Sequence, residues 1–188
     1  MTCIVAIIDK ESKTIYMGGD SAGVGGCGLT IRKDPKVFKN KGFIFGFTSS
    51  FRMGQILAHG WAPPDKMPEV DIYEYMVTTF VDSVRNRFKS CGFNQTKDGV
   101  ESGGNFLVGV DGRVFEIGKD YQVGESEANY AACGCGEDIA NGALAVLTAV
   151  ANMGGREAAK QALEAAERHS AGVRGPFIIL EQKFGKQK

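Results

Sequence analysis

The chain lacks an excess of charge of either sign: among its 188 residues, Lys plus Arg and Asp plus Glu both number 22. No basic run appears either, so the electrostatic footprint of a nucleic-acid binder is missing, and no nucleic-acid partner is expected. Long hydrophobic runs are also absent. The apolar stretches are far shorter than the roughly 20 residues of a membrane span, and no membrane association is expected. The first of them follows Met1 directly, with the acidic Asp9 and Glu11 after it and no basic segment before it, unlike a secretory signal. A soluble, cytoplasmic protein is expected. Histidine is scarce, with His59 and His169 far apart in sequence. The five cysteines (Cys3, Cys27, Cys91, Cys133 and Cys135) are odd in number and scattered, and the C-x-C pair at 133 and 135 has no second pair. This pattern argues against a zinc site. It points instead to free thiols in a reducing compartment, and neither a metal nor a cofactor is expected.

What is present suits one compact domain spanning residues 1–188, since 43% hydrophobic content supplies a sizeable core. Apolar and β-branched runs predict strands at the amino end and at Thr14 to Met17, joined by the polar turn Asp9 to Lys13. Gly23 to Gly28 matches G-x-G-x-x-G, yet Leu29-Thr30-Ile31 and then Pro35 follow where a dinucleotide fold needs a helix to open, so that reading is rejected. Two strands are predicted around the turn Asn40-Lys41-Gly42, then a helix from Phe51 to Leu57 capped by Thr48-Ser49-Ser50. Residues 60–68 hold three of the five prolines and read as a loop. Ile72, Tyr75, Met76, Thr79, Phe80, Val84 and Phe88 recur at helical spacing and predict one long helix from Asp71 to Cys91, closed by Gly92. Phe93 to Gly104 reads as a loop or mobile edge. Asp111-Gly112 marks a hairpin between Asn105 to Val110 and Arg113 to Ile117. A further strand leads to Tyr130 to Gly136, followed by two alanine-rich helices, Glu137 to Met153 and Arg156 to Ser170. The last strand is expected at Phe177 to Leu180, before a tail from Lys183 to Lys188. This order gives an α+β fold of two antiparallel sheets stacked face to face, with a helical layer outside each.

The amino end carries the chemistry. Six of the seven residues after Met1 are apolar or sulfur-bearing, so the run reads as a buried strand that holds Thr2 inside the fold. Removal of Met1, which the small Thr2 side chain permits, gives one residue both a hydroxyl nucleophile and a free α-amine. The reference pKa of such an amine, about 7.7 to 8.0, lets it act as a base near neutral pH.

Thr2-Cys3-Ile4-Val5-Ala6, Met17-Gly18-Gly19-Asp20-Ser21, Lys36-Val37, Gly46-Phe47-Thr48-Ser49-Ser50 and Gly134-Cys135-Gly136 stand in an order and spacing that covers nearly the whole chain. Together they resemble the proteasome β-type N-terminal nucleophile hydrolases, and most of all the bacterial HslV-type threonine peptidases. The resemblance implies the four-layer αββα sandwich of that fold. It implies Thr2 as nucleophile, with its own amine as general base acting through a water. Lys36 matches the lysine that lowers the nucleophile's pKa, and Asp20 the carboxylate that orients this lysine. Backbone N–H groups at Thr48 and Ser49 fall where the family builds its oxyanion hole. Cys135 stands where the family has serine, beside the amine. Glu167 and Ser170 keep the spacing of the acid and serine that complete the amine's hydrogen-bond network. Singly, each has a plainer reading: Asp20 as a turn residue, Lys36 as a solvated strand entry, Cys135 as a small buried side chain, Glu167 and Ser170 as helix-end polar residues. Cys3 is read as a core thiol and His169 as a surface or cap residue.

The implied activity is hydrolysis of peptide bonds in a peptide or unfolded protein substrate. It implies a homo-oligomer of stacked rings, served by an ATP-dependent unfoldase. Two alternatives stand beside it. One is a non-catalytic scaffold or binding subunit of the same fold with Met1 retained, because an acylated Thr2 nitrogen has no basicity. The other is an N-terminal nucleophile amidase acting on small amides.

Overall fold

The computed structural model describes residues 1–151 and 153–185. In chain order, the first half contains β1 (Cys3–Asp9), β2 (Thr14–Gly19), β3 (Ala22–Gly25), β4 (Gly28–Ile31), β5 (Val37–Asn40), β6 (Phe43–Phe47) and α1 (Phe51–His59). Then come α2 (Ile72–Tyr75), a π-helical turn (Met76–Phe80) and α3 (Val81–Ser90), which run on as one helix. The second half contains β7 (Gln95–Lys97), β8 (Val100–Ser102), β9 (Phe106–Val110), β10 (Arg113–Ile117), β11 (Val123–Glu125), β12 (Tyr130–Gly134), α4 (Glu137–Ala149), α5 (Gly155–His169) and β13 (Ile178–Lys183).

Two larger antiparallel sheets result, one ordered β12-β1-β2-β13 and the other β11-β10-β9-β6-β5. Strand alternation explains why β1 and β6 are apolar throughout. In β1, Cys3, Val5 and Ile7 face a cluster shared with α4 and α5, while Ile4 and Ala6 face a cluster shared with the other sheet. In β6, Phe43, Phe45 and Phe47 join the residues of α1 to α3, and Ile44 faces the first sheet. A strand covered on both faces has no solvent side to make polar.

Turn chemistry sets the hairpins. Lys41-Gly42 and Asp111-Gly112 both adopt left-handed backbone, at φ 45° and 82° and at φ 49° and 77°, as two-residue hairpin turns require. The region read as a loop before residue 104 holds another hairpin, β7 with β8, turning at Asp98-Gly99 with φ 52° and 78°. Its residues are mostly exposed and lack an apolar face, so only the turn dipeptide marked it. The G-x-G-x-x-G segment lies across the β3–β4 hairpin, with a strand where a nucleotide site needs a helix.

The long helix departs from ideal spacing at its π turn, where the Thr78 hydroxyl donates to the Glu74 carbonyl at 2.6 Å. The widened turn shifts the buried stripe, so that Tyr75 before it, Met76 and Phe80 within it, and Val81, Val84 and Phe88 after it share one core. The first of the two carboxyl-terminal helices stops at Ala149, earlier than its alanine content predicted, and Asn152 lies outside the described residues. The last strand runs longer than predicted, because β13 pairs with β2 as far as Lys183 opposite Thr14. Of the expected tail, residues 186–188 lie outside the described residues. Among the described residues, no helix is long and apolar enough to cross a membrane.

The sheets approach closely at Gly46, where a Cβ would lie 2.4 Å from Ile4 Cγ2 and 2.9 Å from Met17 Sδ. A Gly46→Ala variant therefore overpacks the inter-sheet core. We expect a loss of about 1–3 kcal/mol, read as a lower urea midpoint at unchanged slope.

Candidate active site

Register brings the candidate residues to one end of the two sheets. Cys3 at the start of β1 pairs with Gly134 at the end of β12, and Ile4 pairs with Gly19 at the end of β2. Thr2, Asp20 and Cys135 thus leave three neighbouring strands side by side. From the other sheet, Val37 pairs with Gly46, so Lys36 enters β5 next to the turn that leaves β6.

Asp20 is buried, with both carboxylate oxygens occupied. Its Oδ1 accepts from Cys3 N at 3.0 Å and from Lys36 Nζ at 2.9 Å; its Oδ2 accepts from Ala22 N at 2.9 Å and Arg174 N at 3.4 Å. A carboxylate offers only acceptors, and four donors answer it. The Lys36 ammonium also donates to Thr2 Oγ1 at 2.9 Å. Burial pulls the Lys36 pKa below the ordinary lysine value, and the Asp20 charge opposes that shift. The nucleophile candidate is therefore in direct contact with a cation that is 1% exposed.

Around the Thr2 nitrogen, the N–H donates to Cys135 Sγ at 3.2 Å, and that sulfur lies 3.4 Å from Ser170 Oγ. Thr2 Oγ1 donates to the Met1 carbonyl at 2.5 Å. Gly134, at φ 104°, allows this approach: a Cβ there would fall 2.3 Å from the Thr2 carbonyl oxygen. Cys3, next in sequence, is unsuited as a nucleophile because burial, followed by the nearby Asp20 charge, pushes its thiol up to about 12.

Glu167 lies apart from this cluster. Its Oε1 accepts from Gly175 N at 2.9 Å, and its main-chain carbonyl accepts from Arg174 Nη1 at 3.0 Å, so it braces the 174–175 loop. Of the two expected oxyanion donors, Thr48 N–H is committed to the Asn105 carbonyl at 3.1 Å, continuing the β6–β9 ladder by one residue. Ser49 N–H has no partner among the described residues. Ser49 is left-handed at φ 70°, where glycine is the easier residue, and its Oγ accepts from Asn105 N at 3.2 Å. His169 is exposed at the end of α5. Among the described residues, no group of three or more His, Cys, Asp or Glu side chains could hold a metal ion.

The Arg174 N–H contact to Asp20 and the Asn105 contacts to Thr48 and Ser49 are not legible in the sequence, since they are made by main-chain groups that residue type does not reveal. A double-mutant cycle tests the central pair. Asp20→Asn or Lys36→Met alone should cost about 3–5 kcal/mol, because each strands a buried partner. The double variant should lose clearly less than the sum in denaturant titrations.

No family model matches the chain, and no curated protein is significantly similar to it. Solved structures are similar in shape. The BPH protein of Thiobacillus denitrificans, one of whose structures is a complex with epoxomicin, superposes at TM-score 0.80 and 18% identity, over 98% of this chain and 100% of that one. Eukaryotic HslV from Trypanosoma brucei gives TM-score 0.69 at 16% identity, over 97% and 99% of the two chains. An Anbu mutant from Hyphomicrobium gives TM-score 0.66 at 18% identity, over 97% and 82%. At such identities the likeness speaks for the fold, and this chain has the proteasome β-type, HslV-like fold to which its ordered motifs pointed.

Proposed function

We propose that the chain is a threonine-type peptidase of the proteasome-like kind, with Thr2 as its N-terminal nucleophile after removal of Met1. The observation that carries this reading is the buried chain Asp20–Lys36–Thr2, with Lys36 Nζ 2.9 Å from both Asp20 Oδ1 and Thr2 Oγ1. The lysine charge favours the alkoxide form of the hydroxyl. Once Met1 is gone, the Thr2 nitrogen beside Cys135 and Ser170 becomes an amine that takes the hydroxyl proton through a water. Oγ1 then bonds to the peptide carbonyl carbon, the Ser49 N–H supports the developing oxyanion, and the amine passes its proton to the leaving nitrogen. Water activated by the same amine hydrolyses the resulting ester.

Each large sheet has helix-bearing core on one face and shares a core with its partner on the other, which supports a four-layer αββα sandwich in a single domain. The fold likeness supports a homo-oligomer of stacked rings that receives unfolded polypeptide from an ATP-dependent unfoldase. With Met1 in place, the Thr2 nitrogen is an amide and the same fold serves as a non-catalytic subunit. Intact mass separates the two states: the peptidase requires a chain lighter by one methionine.

Thr2→Ala should abolish peptide hydrolysis, lowering it at least about a thousandfold, while the oligomer measured by light scattering persists. Unchanged hydrolysis in that variant excludes the mechanism. The pH profile gives a second check. Activity should rise through about pH 8 as the amine loses its proton, and fall on the alkaline side below the ordinary lysine value of about 10.4 as Lys36 loses its own. Asp20→Asn removes the charge that opposes the Lys36 shift, so in any residual activity the alkaline limb should move to lower pH.

A further inference from the structure

Strand alternation turns Thr48 toward the nucleophile. Along β6 and one residue past it, Ile44, Gly46 and Thr48 share the face that meets the first sheet, where Gly46 already packs on Ile4 and Met17. Thr48 is 7% exposed and lines the cleft together with Thr2 and Lys36. Its hydroxyl lies over the junction of Gly134 and Thr2: a Cβ on Gly134 would stand 3.2 Å from Thr48 Oγ1 and 2.3 Å from the Thr2 carbonyl oxygen.

The main chain of Thr48 is spent inside the protein, since its N–H donates to the Asn105 carbonyl and its own carbonyl accepts from Ser50 N at 2.8 Å. The next two side chains are anchored as well, Ser49 Oγ on Asn105 N at 3.2 Å and Ser50 Oγ on Arg52 N at 3.1 Å. The Ser49 N–H and the Thr48 O–H are left as neighbouring donors without a partner among the described residues. Oγ1 and the Ser49 nitrogen are separated by four covalent bonds, which holds them about 3–5 Å apart. Packing alone does not account for threonine here. Valine has the same branched shape and brings no unpaired hydroxyl into a buried place. Oxyanion holes, by contrast, are built from main-chain N–H groups and side-chain donors alike. The register that withdraws the Thr48 N–H from that role leaves its side chain free to fill it.

We propose that Thr48 is a further catalytic residue, whose hydroxyl is the second donor of the oxyanion hole beside the Ser49 N–H. The proposal rests on the peptidase reading of Thr2. In the step concerned, Thr2 Oγ1 bonds to the carbonyl carbon, the C=O π pair moves onto the carbonyl oxygen, and the Thr2 hydroxyl proton passes to the amine. Thr48 O–H donates to that oxygen and keeps its proton. On collapse the pair returns to re-form C=O, the C–N bond breaks, and the amine's proton goes to the leaving nitrogen. Met1 packs on Gly172, whereas Thr48 is held by Asn105 and lies against Gly134, so the hydroxyl keeps its place when Met1 is removed.

The test uses full-length protein whose mass shows loss of Met1, with acylated tripeptides ending in Ala, Leu or Phe before an amide bond to a fluorogenic coumarin amine. On the best of these, Thr48→Val should lower kcat about a hundredfold or more while KM stays within threefold, because the lost bond exists only in the transition state. Thr48→Ser, which keeps the hydroxyl, should stay within tenfold of wild type. The matching peptide aldehyde, which forms a hemiacetal on Thr2, should bind Thr48→Val at least tenfold more weakly than wild type, while the peptide alcohol, which has no carbonyl, binds both equally. A residue that only shapes the cleft would weaken the two inhibitors together. If Thr48→Val does not fold, Thr48→Ala takes its place. The proposal is overturned if a folded hydroxyl-free variant keeps kcat within threefold of wild type, if Thr48→Ser loses as much as that variant, or if aldehyde and alcohol weaken alike. Absence of turnover by wild type on every peptide instead sinks the peptidase reading, and this inference with it.

Discussion

The structure depends on one buried ion pair, Lys36 with Asp20, at side-chain exposures of 1% and 0%. Taking two charges out of water is costly, and their attraction offsets that cost only where the remaining hydrogen-bonding capacity is met. Here it is met by main-chain N–H groups of Cys3, Ala22 and Arg174 on the carboxylate and by the Thr2 hydroxyl on the ammonium. One carboxylate thus ties together the start of β1, the exit from β2 and the loop after α5. The ammonium reaches it from the other sheet, so the pair also joins the two sheets at this end. A hydrophobic pair of similar volume could fill the space, but it could not hold a hydroxyl oxygen beside a positive charge.

The sequence was most legible where both faces of a strand are covered. Cys3 to Ile8 and Phe43 to Phe47 announce themselves as apolar runs, and Asp111-Gly112 announces a hairpin, because burial and left-handed turns restrict residue type directly. Legibility failed where nothing is buried. The β7–β8 hairpin has little apolar surface, and only Asp98-Gly99 betrayed it. The end of α4 was misplaced because alanine content does not specify where a helix stops. At the candidate site, Thr2, Asp20 and Lys36 could be picked out as an ordered set, and the structure places them within hydrogen-bond distance. The commitment of Thr48 N–H to Asn105 follows from strand register, which no residue type encodes. The bond that Glu167 accepts from Gly175 N–H is likewise made to a main-chain group, which residue type does not reveal.

The left-handed Ser49 shows how a strained turn is held in place. Its backbone leaves the β6–β9 ladder just after Thr48, which frees its own N–H while its side chain stays anchored on Asn105. A residue in this conformation carries strain of about 1–3 kcal/mol that the surroundings must sustain. The anchor at Asn105 and the cap that Ser50 gives to α1 hold the turn from both sides.

The close contact of the sheets at Gly46 has a kinetic meaning. Because the groups that meet at Thr2 are contributed by strand ends of both sheets, none can drift without parting the interface that Ile4, Met17 and Gly46 close. Local breathing is therefore suppressed there. Main-chain amides of β1 should exchange with solvent deuterium only through global opening.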